Sequence, residues 1–300
     1  MNTQLKKNKF AYAFYATDNH YALAVCVAIR LLKKTKVRND IDFIVAHLKI
    51  SKTILKSMHQ MNVNTKRVEK LPYSHKHFED CFTKFYIFQF LQYDRIIYFD
   101  SDTYVLQNLD HLFTLPLKGN LAAPRAYWLP QPCVTSLLLV VKPSMELWNR
   151  AQKHFATARE KYLFDMEVIN LEFKDELHYL PDEYACLNTE WEDRDKPYHF
   201  GDPKNSINTI KLVHFTAVGK PWRYQPKLLQ KMRPRMDMLF LDIWDKWWQA
   251  RDAFIKENPL AARTYYTFLK YIVQLEKLKW LRAMKTKFDR LVQKNDASED

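Results

Sequence analysis

Apolar residues in this chain fall into short continuous runs separated by stretches with helical spacing. Residues 10–16 form one such run and read as a buried strand; Thr17-Asp18-Asn19-His20 behind it is a helix-capping cluster, and 21–34 carry apolar side chains at helical intervals. Residues 41–46 are a second apolar run, 51–61 have the pattern of a helix capped by Ser51, and 66–71 predict a third strand. The stretch 77–93 predicts an aromatic-rich helix leading into Arg95-Ile96-Ile97-Tyr98-Phe99, a run suited to a central strand. Another buried strand is expected over 134–141, then a helix over 145–157 capped by Ser144, a short helix over 163–172 and a last core strand over 209–215. Strands alternating with helices predict an α/β fold on a mostly parallel sheet. Beyond Pro226 the chain becomes Trp-rich and helical, over 237–256 and 261–294, so a division is placed between 1–233 and a basic helical C-terminal extension, 234–300.

Composition narrows the chemistry. Three glycines in 300 residues are too few for a glycine-rich phosphate loop, so any nucleotide must be held by other means. Four dispersed cysteines have neither zinc spacing nor the density of a disulfide scaffold. With no signal-like run, no membrane-length apolar stretch and no glycosylation sequon, the expected location is cytoplasmic, with peripheral contact at a membrane surface left open. The net charge is +13, and nine Lys/Arg against two acids over 261–294 put +7 of it in the final segment.

Candidate chemistry sits at two strand ends. Asp100-Ser101-Asp102 follows the run 95–99, and in extended backbone residues i and i+2 project the same way, offering two carboxylates at the carboxyl edge of a parallel sheet. Such a pair suits a hard octahedral cation with positions left for phosphate oxygens, whereas an isolated pair of this kind more often only caps a turn. The second site is 213–222: His214 offers an imidazole, Gly219 a close backbone approach, and Lys220 a cation for a diphosphate.

These two segments resemble the Asp-x-Asp and His-Phe-x-Gly-x-x-Lys-Pro-Trp patterns of glycosyltransferase family 8, the retaining GT-A enzymes that include glycogenin and galactinol synthase. The resemblance runs over about 10–222 and implies a single Rossmann-like, nucleotide-sugar-binding GT-A domain with a C-terminal helical extension. It implies Mn²⁺, with Mg²⁺ as the alternative, on Asp100, Asp102 and His214, and a UDP-sugar donor contacted by Lys220 and Lys84. Tyr15, Thr17 and Tyr21 match the segment that holds uracil and ribose, Thr135 and Ser136 fall near the donor sugar, and Asp165 falls near the reacting centre; Ser101 and Gly219 complete the donor set. Ala217, Thr135, Leu137 and Met166 depart from the family pattern, and all but the first lie around the sugar.

The function so implied is transfer of a hexose from UDP-glucose, UDP-galactose or UDP-GlcNAc to a sugar, protein or lipid-linked acceptor. Self-glucosylation would require a tyrosine near the site, and Tyr198 lies in the corresponding region of the chain. The basic segment 261–294 is amphipathic, so it either docks on the catalytic domain or lies on an anionic membrane. A nucleic-acid-binding module is the competing class for a basic, aromatic-rich chain; concentration of charge in one terminal helix and the lack of a recognised motif weigh against it. A catalytically dead scaffold is the third, opposed by the intact Asp, Asp, His set.

Overall fold

The computed structural model describes residues 8–71, 80–157, 161, 163–216, 219–261 and 263. Ala217 and most of the basic segment 261–294 therefore lie outside the described residues. Ten strands are present among them: β1 (Phe10–Ala16), β2 (Ile41–His47), β3 (Val63–Arg67), β4 (Arg95–Phe99), β5 (Thr103–Val105), β6 (Leu121–Pro124), β7 (Leu138–Val141), β8 (His178–Leu180), β9 (Cys186–Leu187) and β10 (Leu212–His214). The α-helices are α1 (Asn19–Lys34), α2 (Lys52–Gln60), α3 (Met145–Gln152), α4 (Asp165–Glu172), α5 (Pro203–Ser206), α6 (Pro226–Met232) and α7 (Met238–Glu257).

A seven-stranded sheet runs in the order β3-β2-β1-β4-β7-β6-β8, with only β7 antiparallel to its neighbours. The carboxyl ends of β1, β2, β4, β6 and β8 thus share one edge. This is the expected mostly parallel α/β architecture. Alternation along β1 sorts the core: Phe10, Tyr12, Phe14 and Ala16 face α1 and α7, while Ala11 and Ala13 face the other layer, built from α3, α4 and a 3-10 helix at Cys81–Gln89.

Caps fall where polar residues precede apolar periodicity. Asp18 accepts from the N–H groups of His20 and Tyr21 at the start of α1, and Ser51 and Ser144 cap α2 and α3. The predicted strand over 66–71 begins earlier, at Val63, because Asn62 adopts φ 59° and turns the chain straight out of α2. The strand expected over 134–141 is regular only from Leu138; Val134 makes an isolated bridge to Arg125, and Thr135 and Ser136 leave the ladder. The aromatic helix expected over 77–93 is a 3-10 helix from Cys81, with 72–79 outside the described residues. The predicted helix over 145–157 ends at Gln152. Strands β5, β6, β8 and β9 carry too few residues to have shown a period.

Beyond residue 234, α7 packs on the core of the main sheet. Phe240, Ile243, Trp244, Trp247 and Phe254 of α7 are buried in the same cluster as Tyr12, Phe14 and the apolar face of α1. Arg30 reaches across to Glu257, and the indoles of Trp244 and Trp248 donate to the carbonyls of Tyr224 and Pro221 at 2.8 and 2.9 Å. Trp244 and Trp247 are core, and Trp248 packs partly buried against it. Among the described residues no helix is long and apolar enough to cross a membrane.

Candidate functional site

β4 ends at Phe99, and Asp100-Ser101-Asp102 makes the turn into β5. The expected route to convergence, extended alternation, is therefore replaced by a turn. Thr103 Oγ1 donates to the Asp100 carbonyl at 2.8 Å, and Asp100 N donates to Leu137 O at 2.9 Å, which fixes the turn against β7. The second sheet, ordered β5-β10-β9, then sets His214 opposite Thr103, and Phe215 N donates to Asp102 O at 2.9 Å. Residues more than a hundred positions apart meet through these backbone bonds.

The resulting group is Asp100, Asp102 and His214, whose donor atoms all lie within 4.8 Å of one another. His214 Nε2 is 3.3 Å from Asp102 Oδ1 and 4.0 Å from Asp100 Oδ2. Two carboxylate oxygens and one imidazole nitrogen suit a divalent cation that keeps sites free for a substrate's oxygens. Electrostatics favour the same occupant. Burial pushes Asp100 above the ordinary carboxylate range against the pull of Lys84, and the neighbouring Asp102 carboxylate adds to the rise. Burial acts on Asp102 as well, but Lys220 and His214 outweigh it and hold that carboxyl far below the usual range. Lys220 bonds directly to Asp102 and donates to Phe215 O at 3.0 Å.

A second network lies behind the first. Lys84, buried in the 3-10 helix, places Nζ 3.0 Å from Asp100 Oδ1, 2.5 Å from Asp165 Oδ2 and 3.2 Å from Ser136 Oγ. Burial alone would lower the lysine's pKa; the two carboxylates overcome it and keep the ammonium charged. Asp165 opens α4, and Ser136 donates to it from the irregular segment before β7. Lys84 is therefore the link between the cation-ready carboxylates and Asp165.

Of the remaining residues, Tyr15 stacks on Tyr98, whose hydroxyl donates to Asp100, and Tyr21 meets Trp222 edge-on with centroids 5.5 Å apart. Ser101 and Thr135 are buried, and Thr17 stands half-buried beyond β1. Gly219 takes φ 104°, a conformation that favours glycine, and a Cβ there would press on the Tyr224 ring at 3.0 Å. Two contributors escaped the sequence reading. Tyr98 stands in the strand leading into the Asp-x-Asp segment, where the sequence gives no sign of its hydroxyl's partner, and Asn188, fully buried, accepts from Thr216 N at 2.8 Å and Thr216 Oγ1 at 3.1 Å, steering the chain out of β10. Nothing in the sequence around Asn188 marks it. Tyr198 packs on the core with its hydroxyl buried, so it presents no exposed acceptor group.

A mostly parallel sheet covered on both faces, with an Asp-x-Asp turn at its carboxyl edge, is the GT-A architecture, and the similarities that follow support a nucleotide-sugar glycosyltransferase. Residues 13–129 match the model of glycosyl transferase family 8. It is 29% identical over 266 residues to glucose N-acetyltransferase 1 of Aspergillus fumigatus, covering 77% of this chain and 69% of that one. It is 25% identical over 205 residues to galactinol synthase 2 of Solanum lycopersicum, covering 57% and 56%. In three dimensions it is similar to the galactosyltransferase LgtC in complex with donor and acceptor sugar analogs, with TM-score 0.60, 16% identity, and coverage of 78% and 95%. GlyE of Streptococcus pneumoniae TIGR4 gives 0.58 at 18% identity over 84% and 65%.

Proposed function

We propose that the chain transfers a hexose from a UDP-sugar to an acceptor hydroxyl, with Mn²⁺ held by Asp100, Asp102 and His214 and with retention at the anomeric carbon. The observation that carries this reading is the convergence of those three donors with Lys220 at the carboxyl edge of the sheet. A divalent cation held by these three residues would supply positive charge to the leaving diphosphate.

The chain's own residues divide the remaining work. Lys220 contributes a second cation that exchanges Asp102 for phosphate oxygens when the donor enters. Tyr15, Thr17 and Tyr21 take the uracil and ribose, next to the Asp100 turn to which Tyr98 ties Tyr15. Ser136 and Lys84 hold Asp165 ionised, since their bonds outweigh the effect of burial and keep its carboxyl below the usual range. A carboxylate so held stabilises positive charge at the anomeric carbon and orients the incoming hydroxyl on the face the diphosphate vacates. Thr135, Leu137 and Met166 set which hexose fits.

The test is donor turnover: UDP-glucose, UDP-galactose and UDP-GlcNAc are incubated separately with the protein, with and without Mn²⁺ or Mg²⁺, and UDP release is followed. Release from one of them that depends on Mn²⁺ is expected. Equal turnover in a chelator would overturn the metal assignment, and no turnover of any donor would overturn the reading as a whole.

A further inference from the structure

The two oxygens of Asp100 have different surroundings. Oδ1 accepts from the Tyr98 hydroxyl and lies 3.0 Å from Lys84 Nζ. Oδ2 is the atom that lies 4.0 Å from His214 Nε2, on the side where Asp102 and His214 converge. One oxygen therefore carries two donors from the protein interior, and the other is left for a cation. Both donors belong to the core: Tyr98 is fully buried and Lys84 is 2% exposed.

The Tyr98 hydroxyl is itself held in place by its surroundings. The residue stands in β4, opposite Ala13 of β1 on one side and Leu139 of β7 on the other. Its ring stacks on Tyr15, with centroids 6.2 Å apart and planes 18° from parallel, and Lys84 Nζ lies 5.4 Å from the ring centroid. Strand pairing fixes the backbone and the stack fixes the ring, so the hydroxyl has one direction to donate. A carboxylate acceptor makes that bond roughly twice as strong as a neutral one.

We propose that Tyr98 is a positioning residue for the metal: its hydroxyl, together with Lys84, locks Asp100 so that Oδ2 alone meets the cation. A carboxylate free to rotate loses that freedom when it takes up a metal, whereas one already bonded through its other oxygen has lost it beforehand. Single-oxygen binding also suits a small octahedral cation better than Ca²⁺, whose larger shell accepts a carboxylate through both oxygens. The role rests on the metal assignment proposed above, and its test needs no donor sugar.

Mn²⁺ alone is titrated into the protein without nucleotide, and the free ion is followed by electron paramagnetic resonance. Tyr98→Phe keeps the ring and removes only the hydroxyl. Tyr12→Phe is the control: Tyr12 is also fully buried in the same sheet, and its hydroxyl donates to Asp110 Oδ1 at 2.6 Å, a carboxylate outside the metal group. Mn²⁺ affinity is expected to fall roughly 10–100-fold in Tyr98→Phe and to stay unchanged in Tyr12→Phe. Affinity in Tyr98→Phe within about threefold of the unmodified protein, or an equal fall in both variants, would overturn the proposal.

A second pair of variants keeps the test open if Tyr98→Phe fails to fold. With two donors on the Oδ1 side, an amide at position 100 turns its oxygen toward Tyr98 and Lys84 and its NH₂ toward the cation. Asp100→Asn should therefore bind Mn²⁺ no better than Asp100→Ala. Binding roughly tenfold tighter in the first than in the second would show an oxygen free to turn, and the proposal would fall. Turnover of the UDP-hexoses is measured alongside. Mn²⁺ binding that depends on Tyr98, without turnover of any donor, would overturn the proposed reaction and leave this role standing. No Mn²⁺ binding by the unmodified protein would remove both the metal and the role of Tyr98.

Discussion

Lys84 is a single charge, 2% exposed, shared by Asp100, Asp165 and Ser136. Removing it leaves two largely buried carboxylates, 16% and 15% exposed, without that counter-charge, which costs more than the loss of a surface ion pair. Lys84→Met is therefore expected to destabilise the fold by roughly 3–5 kcal/mol in urea denaturation; a loss below about 1 kcal/mol, the scale of an exposed pair, would show that the network carries little energy. Asp102→Asn is a different kind of change, because the amide keeps the side chain's shape while removing a metal-ligating charge. Donor turnover should fall on the order of 10²–10³-fold with the circular dichroism spectrum unchanged. Near-normal Mn²⁺-dependent turnover in that variant would remove Asp102 from the metal site. The Asp-x-Asp pattern was legible in the sequence as chemistry, but its partner Tyr98 was not, since a tyrosine on a buried strand carries no mark of its hydroxyl's direction.

Elements are held by caps and by ion pairs at their seams. Asp18 caps the start of α1, the helix that follows β1 and leads from Tyr15 to Tyr21. Asp18→Ala should cost about 1 kcal/mol, read as a shift of the urea midpoint with unchanged slope. At the seam between α3 and α4, Glu172 meets Arg150 and His154. Burial pushes this carboxyl up, but the His154 and Arg150 bonds outweigh it and hold it below the ordinary carboxylate range. A carboxyl depressed by folding contributes stability that is present above its unfolded pKa and lost as pH falls through the folded value. Glu172→Gln should accordingly flatten the acid limb of the stability profile below about pH 4.5. An unchanged acid limb in the variant would contradict the pairing. Long elements such as α1 and α7 were readable from their apolar period and caps, whereas two- to four-residue strands such as β9 and β6 were not, because pairing alone defines them.

At the scale of the molecule, α7 closes one face of the sheet and locks the loop after β10. The indole of Trp244 is fully buried and donates to Tyr224 O, next to the segment that carries Lys220. Trp244→Ala is expected to cost roughly 3–5 kcal/mol and to lower donor affinity along with stability; destabilisation with unaltered donor affinity would show that α7 supports the core without holding the loop. What the sequence determined by itself was local: the strand-helix alternation, the caps at Asp18, Ser51 and Ser144, and the residue types able to bind a cation and a diphosphate. Periodicity and capping depend on neighbours a few positions away, so they survive in a one-dimensional reading. Tertiary structure decided that Asp-Ser-Asp is a turn, that Lys84 joins Asp100 to Asp165, and that α7 packs on the core of the main sheet. Each of those outcomes depends on which strands pair and in what register, and that is set by burying both faces of one sheet at once.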